Sequence, residues 1–136
     1  MKTIITSILF FTMTLFVKAQ MMRSDISLSD PFIMADSISK NYYMTGTSGE
    51  LFKSSDLEIW RKQAWPLNTE DITWIGIDHT APSPGLIWAP ELYYKNGAYY
   101  NIVTFTNPNA TTEGTTFPRR SIHILKSYKP EGPYEK

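Results

Sequence analysis

Residues 42–54 have the sequence YYMTGTSGELFKS, in which two apolar runs flank the pair Ser48-Gly49. Aromatic and β-branched residues favour strands, and glycine permits the positive φ that tight hairpin turns require. The stretch therefore predicts a β-hairpin, with strands over residues 42–47 and 50–54. The same reasoning predicts a second hairpin turn at residues 95–97, which are Lys-Asn-Gly.

The first hairpin belongs to a motif that occurs twice in the chain. Each copy contains, in order, Tyr-Tyr, Lys-Ser, a further dipeptide and an aromatic residue. In the first copy these lie at 42–43, 53–54, 56–57 and 60, and in the second they lie at 99–100, 126–127, 129–130 and 134. The second copy is longer, and we predict that the polar stretch 107–120 holds the extra residues as a loop. A repeat of about four short strands with recurring aromatic positions is typical of β-propeller blades. Chance recurrence in an aromatic-rich β protein is the alternative.

The rest of the chain also indicates strands. Beyond residue 20 no window has a long apolar period of 3.6 residues, while 9 Pro and 7 Gly separate short apolar runs. Further strands are predicted over residues 31–34, 60–63, 87–94, 98–106 and 121–127. The fold class is therefore all-β. A propeller needs roughly four to eight blades to close, so a chain with two blades is expected to be truncated.

The N-terminus has the pattern of an export signal. Lys2 precedes a nearly uninterrupted apolar run over residues 4–17, and residues 17–19, Val-Lys-Ala, fit a signal-peptidase site. The run falls short of the roughly 20 apolar residues that span a bilayer. We therefore expect a signal peptide over residues 1–19, a mature chain over residues 20–136, and a secreted or periplasmic protein without a membrane span.

Composition excludes several classes of function. Lys plus Arg and Asp plus Glu number 13 each, so the surface has no net charge that would attract nucleic acid. The absence of Cys excludes a disulfide framework and thiolate-bound metal. Stability must come from an apolar core, which we expect to be aromatic because Phe, Trp and Tyr make up 14% of the chain.

Three motifs together carry a family resemblance. They are Ser-Asp-Pro-Phe-Ile at 29–33, Lys-Ser-Ser-Asp-Leu-Glu-Ile-Trp at 53–60 and Trp-Ala-Pro-Glu-Leu at 88–92. In this order and at these spacings they resemble family 43 of the glycoside hydrolases, over essentially all of residues 20–136. Residues 118–125 look like those of exported members from gut bacteria. The resemblance implies that the chain holds the first two blades of a five-bladed β-propeller catalytic domain.

The same resemblance implies an inverting mechanism that uses three acidic residues. One is an Asp in the Asp-Pro motif of the first blade, and this is Asp30 here. It would act as general base on water, while a second Asp and the general-acid Glu would lie beyond residue 136. In inverting enzymes the acid and the base stand roughly 6.5 to 9.5 Å apart. No cofactor is implied, and no metal ligand is assigned.

Asp30 also has a simpler interpretation, because Asp-Pro commonly initiates turns and a lone carboxylate near an N-terminus is usually solvated. The catalytic interpretation predicts a buried carboxylate between the start of a strand and an aromatic wall, with access to water.

Three further residues are candidates for substrate binding. Trp88, in the Trp-Ala-Pro motif, corresponds to a tryptophan that lines the sugar site of the family, and core packing between blades is the alternative. Trp74, in the connection between the repeats, would add a second wall or pack in the core. Glu91 is interpreted as a supporting residue. Aromatic rings suit this task because they stack on the apolar faces of sugars.

Two functional hypotheses follow. The first is a secreted inverting glycosidase that acts on arabinan, arabinoxylan or a related oligosaccharide, represented here by its N-terminal part. The second is a non-catalytic carbohydrate-binding β-propeller fragment. The continuation of the reading frame distinguishes them, because an Asp opening a third blade and a Glu in a fourth would complete the catalytic set.

Overall fold

The computed structural model describes residues 19–68 and 87–136, apart from the side chains at 108–110. Within these ranges eight strands form two antiparallel sheets, which confirms the all-β prediction. The first sheet has the order β1-β5-β4-β3-β2 and the second the order β6-β7-β8. The strands are β1 (Gln20–Met22), β2 (Phe32–Asp36), β3 (Asn41–Thr45), β4 (Leu51–Ser54), β5 (Ile59–Lys62), β6 (Ile87–Lys95), β7 (Ala98–Thr111) and β8 (Pro118–Ser127), with a single 3-10 turn at Arg23–Asp25.

Both predicted hairpin turns are present. Ser48 and Gly49 have φ values of 86° and 75°, and Asn96 and Gly97 have φ values of 52° and 81°. These are the left-handed conformations that glycine and asparagine tolerate best. The turns join β3 to β4 and β6 to β7, and they thereby fix the register of each hairpin.

The repetition in sequence corresponds to a repetition of strand register. Tyr43 faces Lys53 across β3 and β4, and Tyr100 faces Lys126 across β7 and β8. Because side chains alternate along a strand, matching registers place matching residues on corresponding faces of the two sheets.

The ends of the two copies match as well. Trp60 and Tyr134 are both fully buried. Glu135 pairs antiparallel with Lys126, at the position where a fourth strand would join β8, just as β5 joins β4 in the first sheet.

The predicted loop over residues 107–120 is wrong. Strand β7 continues to Thr111 and β8 begins at Pro118, with pairing at Asn107–Arg119 and an irregularity before Thr111. Only residues 112–117 connect the two strands, closed by a hydrogen bond from the Thr112 amide to the Phe117 carbonyl. The hydrogen bonds between paired strands join backbone groups and do not require apolar side chains. An exposed hairpin made of polar residues therefore resembles a loop in sequence.

The core lies mainly between the two sheets. It joins one face of each sheet, through Met34, Tyr43, Leu51, Leu67, Ile87, Leu92, Tyr99, Val103, Phe105, Leu125 and Tyr134. The opposite face of the first sheet carries Met44, Phe52 and Trp60, and the N-terminal residues Met21, Ile26 and Leu28 pack against these three. Aromatic side chains contribute to both clusters, as composition predicts.

Polar contacts also join the first sheet to the second repeat. Glu131 accepts hydrogen bonds from the Tyr43 hydroxyl (2.8 Å) and from Lys53 Nζ (2.7 Å). The Tyr99 hydroxyl donates to Asp36 at 3.1 Å. Burial, with Asp36 alongside, raises the pKa of Tyr99 to about 12, so this hydroxyl remains a donor.

The Glu131 carboxylate gives this junction a pH dependence. Burial raises its pKa, but the hydrogen bonds from Lys53 and Tyr43 outweigh burial, and the pKa lies below its ordinary value. A lowered folded-state pKa means that the carboxylate stabilises the fold above the unfolded-state pKa and that this stabilisation is lost as pH falls through the folded-state pKa.

We expect Glu131→Gln to lower the free energy of unfolding at neutral pH, because the amide loses the ion pair that the carboxylate forms with Lys53. The loss should be only about 1 kcal/mol, because both side chains remain about one-third exposed and solvent screens their interaction. The difference from the unsubstituted protein should shrink below about pH 4.3. Calorimetric melting of the complete gene product at neutral and acidic pH measures it. Glu135→Gln is the control, since Glu135 is exposed and joins the sheet through its backbone. A difference that persists in acid would contradict the assignment.

The predicted leader, residues 1–19, lies outside the described residues except for Ala19 and stays a prediction. Among the described residues, no helix has the length and apolar character needed to cross a bilayer.

Candidate functional site

The candidate site lies where strands β2 and β6 begin, at neighbouring edges of the two sheets. These strands contact each other, and the ring of Phe32 at the start of β2 lies 5.4 Å from the ring of Tyr93 in β6. Asp30 lies two residues before the first residue of β2, while Trp88 and Glu91 lie in the first half of β6. The fold thus brings three of the four predicted site residues to one end of the adjoining sheets.

Strand register makes Asp30 and Ala89 counterparts. Phe32 pairs with the residue two positions after Tyr43, and Glu91 pairs with the residue two positions after Tyr100. Two residues before them stand Asp30 and Ala89, and each of these precedes a proline. The first repeat therefore has a carboxylate at a position where the second repeat has a methyl group.

Both counterparts also have the same unusual backbone conformation. Asp30 has φ 51° and Ala89 has φ 41°. A positive φ is uncommon outside glycine, and a residue before proline normally prefers the extended region. Such conformations persist where surrounding contacts hold them, and they are concentrated at functional sites.

Thr47 is the contact that links the two. Its hydroxyl donates to Asp30 Oδ2 at 2.8 Å, and the Ala89 amide donates to Thr47 Oγ1 at 3.4 Å. One side chain from the turn between β3 and β4 therefore connects the carboxylate to the first residues of the second sheet.

The backbone around Thr47 is held from both sides. The Thr47 amide donates to the Ser29 carbonyl at 2.8 Å, and the Ser48 amide donates to the Ile87 carbonyl at 3.1 Å. Gly46 permits this approach, because a Cβ at residue 46 would lie 2.6 Å from the Ser29 carbonyl oxygen. The turn after β3 is thus fastened to the segment that carries Asp30 and to the start of β6.

Asp30 itself is exposed, so the expectation of a buried carboxylate against an aromatic wall is wrong. The physical reason is its place in the fold, because it precedes β2 in the segment that enters the sheet and a polar threonine is its hydrogen-bond partner. The carboxylate is nevertheless held in one orientation while open to water.

Trp88 is half-buried and makes two specific contacts. Its indole N–H donates to Thr106 Oγ1 at 2.9 Å, and the Arg120 guanidinium lies 4.7 Å from the ring. It stands at a β-bulge, since the β6–β7 register shifts between Trp88 and Glu91. Bulges re-aim side chains near active sites. Trp88 is therefore outside the core between the sheets, with Arg120 stacked on its ring.

Glu91 is exposed and accepts a hydrogen bond from the Tyr93 hydroxyl at 2.5 Å. This hydrogen bond raises the pKa of Tyr93 above its ordinary value. Because Tyr93 also packs on Phe32, Glu91 is tied to the junction between β2 and β6. Trp74 lies outside the described residues, and its role stays a prediction.

Sequence reasoning missed Thr47 and Arg120. The sequence places Thr47 at the end of the predicted strand 42–47 and Arg120 at the end of the predicted loop 107–120. A signal existed for the first, because the four residues 46–49, Gly-Thr-Ser-Gly, are more than a two-residue hairpin turn needs. No group of three His, Asp or Glu side chains that could hold a metal occurs among the described residues.

Comparisons with known proteins agree with this architecture. A family model described as "Glycosyl hydrolases family 43" matches residues 24–136. An endo-arabinase from Bacteroides thetaiotaomicron is 28% identical with a TM-score of 0.62, and the match covers 83% of this chain and 35% of that one. No curated protein matches the chain.

Two further structures are similar over the same region. An endo-1,5-α-L-arabinanase from Thermotoga petrophila is 27% identical, with a TM-score of 0.55 and coverage of 79% of this chain and 24% of that one. A xylan β-1,4-xylosidase from Bacillus halodurans is 26% identical, with a TM-score of 0.57 and coverage of 79% and 20%. The chain thus spans about a third of the first structure and a quarter or less of the other two.

Proposed function

Because this chain belongs to family 43 of the glycosyl hydrolases, we propose that it forms the N-terminal part of a secreted, inverting glycoside hydrolase. Its substrates are arabinose- or xylose-containing plant polysaccharides, such as arabinan and arabinoxylan. The observation that carries the proposal is the Asp30 carboxylate, oriented by Thr47 at the junction of two repeats and open to water.

In the proposed reaction Asp30 is the general base. It takes a proton from a water molecule whose oxygen forms a bond to the anomeric carbon. The glycosidic C–O bond breaks on the opposite side, and the leaving oxygen takes a proton from an acid elsewhere in the protein. Two carboxyl groups must flank the sugar for this, which requires residues beyond those described here.

The substrate class is supported by the similar structures, which are described as an endo-arabinase, an endo-arabinanase and a xylan xylosidase. Trp88, the residue before the Ala89 amide that bonds to Thr47, supplies an aromatic surface of the kind that sugar stacking requires. Arg120 covers part of that surface, so a bound sugar either uses the remaining area or displaces the guanidinium.

We propose a five-bladed propeller, and the face that the second repeat leaves open supports a third sheet in it. Tyr43 and Leu51 of the first sheet are buried against the second sheet. Their counterparts by register, Tyr100 and Ile124, lie on the face of the second sheet that no described sheet covers, and Ile124 is 64% exposed. A third sheet packed there would repeat the first contact, as blades do around a ring.

Assays of the complete gene product test the proposal. We expect release of arabinose or xylose, or their oligosaccharides, from arabinan or arabinoxylan, with activity in the exported fraction of the cells. Proton NMR of the first product should show inversion at the anomeric carbon. Binding of these polysaccharides without any product would replace the enzyme with the carbohydrate-binding alternative, and retention of configuration would exclude Asp30 as a base in an inverting mechanism.

Substitution of Trp88 tests the sugar-binding surface. Trp88→Ala should raise KM about 10-fold, because a stacking contact of this kind is worth roughly 1 kcal/mol beyond its buried area. Trp88→Phe is the matched control, since it keeps a ring and loses only the N–H donor to Thr106. Its KM should stay within about threefold of the original. An unchanged KM in a folded Trp88→Ala enzyme would show that Trp88 does not contact the sugar.

A further inference from the structure

We propose that Thr47 is the positioning residue of the catalytic base, and that its hydroxyl holds the Asp30 carboxylate in register with the bulge that carries Trp88. This inference rests on the proposed function, in which Asp30 is the base. Thr47 would not itself touch the sugar, and it would act by fixing where the base stands.

The hydrogen bonds around the Thr47 hydroxyl have a fixed direction. The Ala89 amide can only donate, so Thr47 Oγ1 accepts from it and turns its own proton toward Asp30 Oδ2. The two hydrogen bonds therefore run in one direction, from the Ala89 amide to the Thr47 hydroxyl and from that hydroxyl to the Asp30 carboxylate. This arrangement leaves Asp30 Oδ1 as the oxygen that receives the proton from water.

The turn that carries the Thr47 hydroxyl is held in place by backbone hydrogen bonds on both sides. The amides of Thr47 and Ser48 are bonded to the Ser29 and Ile87 carbonyls, and Gly46 allows the Ser29 carbonyl to approach. Thr47 is therefore fixed to the residue before Asp30 on one side and to β6 on the other. Its position does not depend on the exposed carboxylate that it orients.

The Thr47 hydroxyl contacts both the proposed base and the segment that carries Trp88. Ala89 directly follows Trp88, so the hydroxyl that contacts Asp30 also contacts the bulge that presents the indole. Because proton abstraction depends steeply on geometry, a displacement of about 1 Å at such a site can cost on the order of 100-fold in rate. Loss of the Thr47 hydroxyl should thus slow turnover while leaving sugar binding to Trp88 and other contacts.

The test uses the complete gene product and two substitutions of one residue. Thr47→Val keeps the shape and removes the hydroxyl, and we expect kcat to fall about 10- to 100-fold with KM within about twofold. Thr47→Ser keeps the hydroxyl and should restore kcat to within about threefold. A Thr47→Ser enzyme as slow as Thr47→Val would show that the methyl group matters and would overturn the proposal.

Thr45→Val is the matched control. Thr45 is the last residue of β3, two residues before Thr47, and its hydroxyl is buried and makes no hydrogen bond among the described residues. The same chemical change there should leave kcat unaltered and should not lower the melting temperature. A similar loss of kcat in Thr45→Val would assign the effect to the strand and not to the Thr47 hydroxyl.

A double-mutant cycle separates this inference from the proposed function. If Thr47 acts through Asp30, Thr47→Val should not lower kcat any further in an enzyme that already carries Asp30→Asn. An active Asp30→Asn enzyme would refute the base, and hence the proposed function. An inactive Asp30→Asn enzyme beside a fully active Thr47→Val enzyme would refute only the positioning role.

Discussion

Replacement of Asp30 by asparagine should lower kcat of the complete gene product by about 100-fold or more while leaving the fold intact. Asparagine has nearly the same size and can still accept a hydrogen bond from Thr47, so the substitution removes the base and little else. Steady-state kinetics on arabinoside and xyloside substrates measure the loss, and circular dichroism confirms folding.

Asp25→Asn is the matched control for this experiment. Asp25 is also exposed and lies in the same N-terminal segment, but it hydrogen-bonds the Met22 amide, away from the junction of β2 and β6. Its kcat should stay within about twofold of the original, as for most surface substitutions. Near-normal turnover in folded Asp30→Asn would sink the assignment of Asp30 as the base.

The second large effect concerns residues 20–136 produced alone. They should have no measurable glycosidase activity, because a base that activates water cannot complete hydrolysis without an acid for the leaving group. Long incubation with arabinan and arabinoxylan, followed by product analysis, tests this directly. Hydrolysis by the isolated segment would show that its acid lies within residues 20–136.

The same segment should also self-associate, since residues 118–125 of β8 have no strand on their outer side among the described residues and the open face of the second sheet carries apolar side chains. Sedimentation should show oligomers, and Ile124→Lys should reduce them. Ile38→Lys is the control, because Ile38 is 63% exposed and lies in the turn after β2, away from that face. A monomeric segment with a single cooperative melting transition would refute the interpretation of that face as a docking surface for a third sheet.

Much of the fold was predictable because it depends on local signals. Ser48-Gly49 and Asn96-Gly97 occupy left-handed turns that few other residues accept, and the turns then dictate strand register. The repeated tyrosine and lysine positions were visible because register makes them cross-strand partners in both copies. Pattern and structure agree at these turns because glycine and asparagine mark them in the sequence, whereas the polar hairpin between β7 and β8 carries no apolar strand pattern.

The candidate site was predictable only in part, because its geometry depends on contacts between the repeats. Asp30 and Trp88 stand out through their motifs, but the link between their segments runs through Thr47, and the sequence around Thr47 does not show which segments its hydroxyl contacts. Arg120 reaches Trp88 only because β7 and β8 extend as a hairpin through polar residues. No local pattern carries such information.

The contacts near residue 134 have a consequence for how the protein folds during its synthesis. The Pro66 carbonyl and the Asn68 amide, just after the first sheet, bond to the backbone of Tyr134, while Tyr43 and Lys53 bond to Glu131. During synthesis the ribosome releases the N-terminal half first. The first repeat therefore lacks its hydrogen bonds to Glu131 and Tyr134 until residues 131–135 have left the ribosome. Translation or export that pauses before that point would hold the nascent chain open, at the stage when chaperones and proteases act on it.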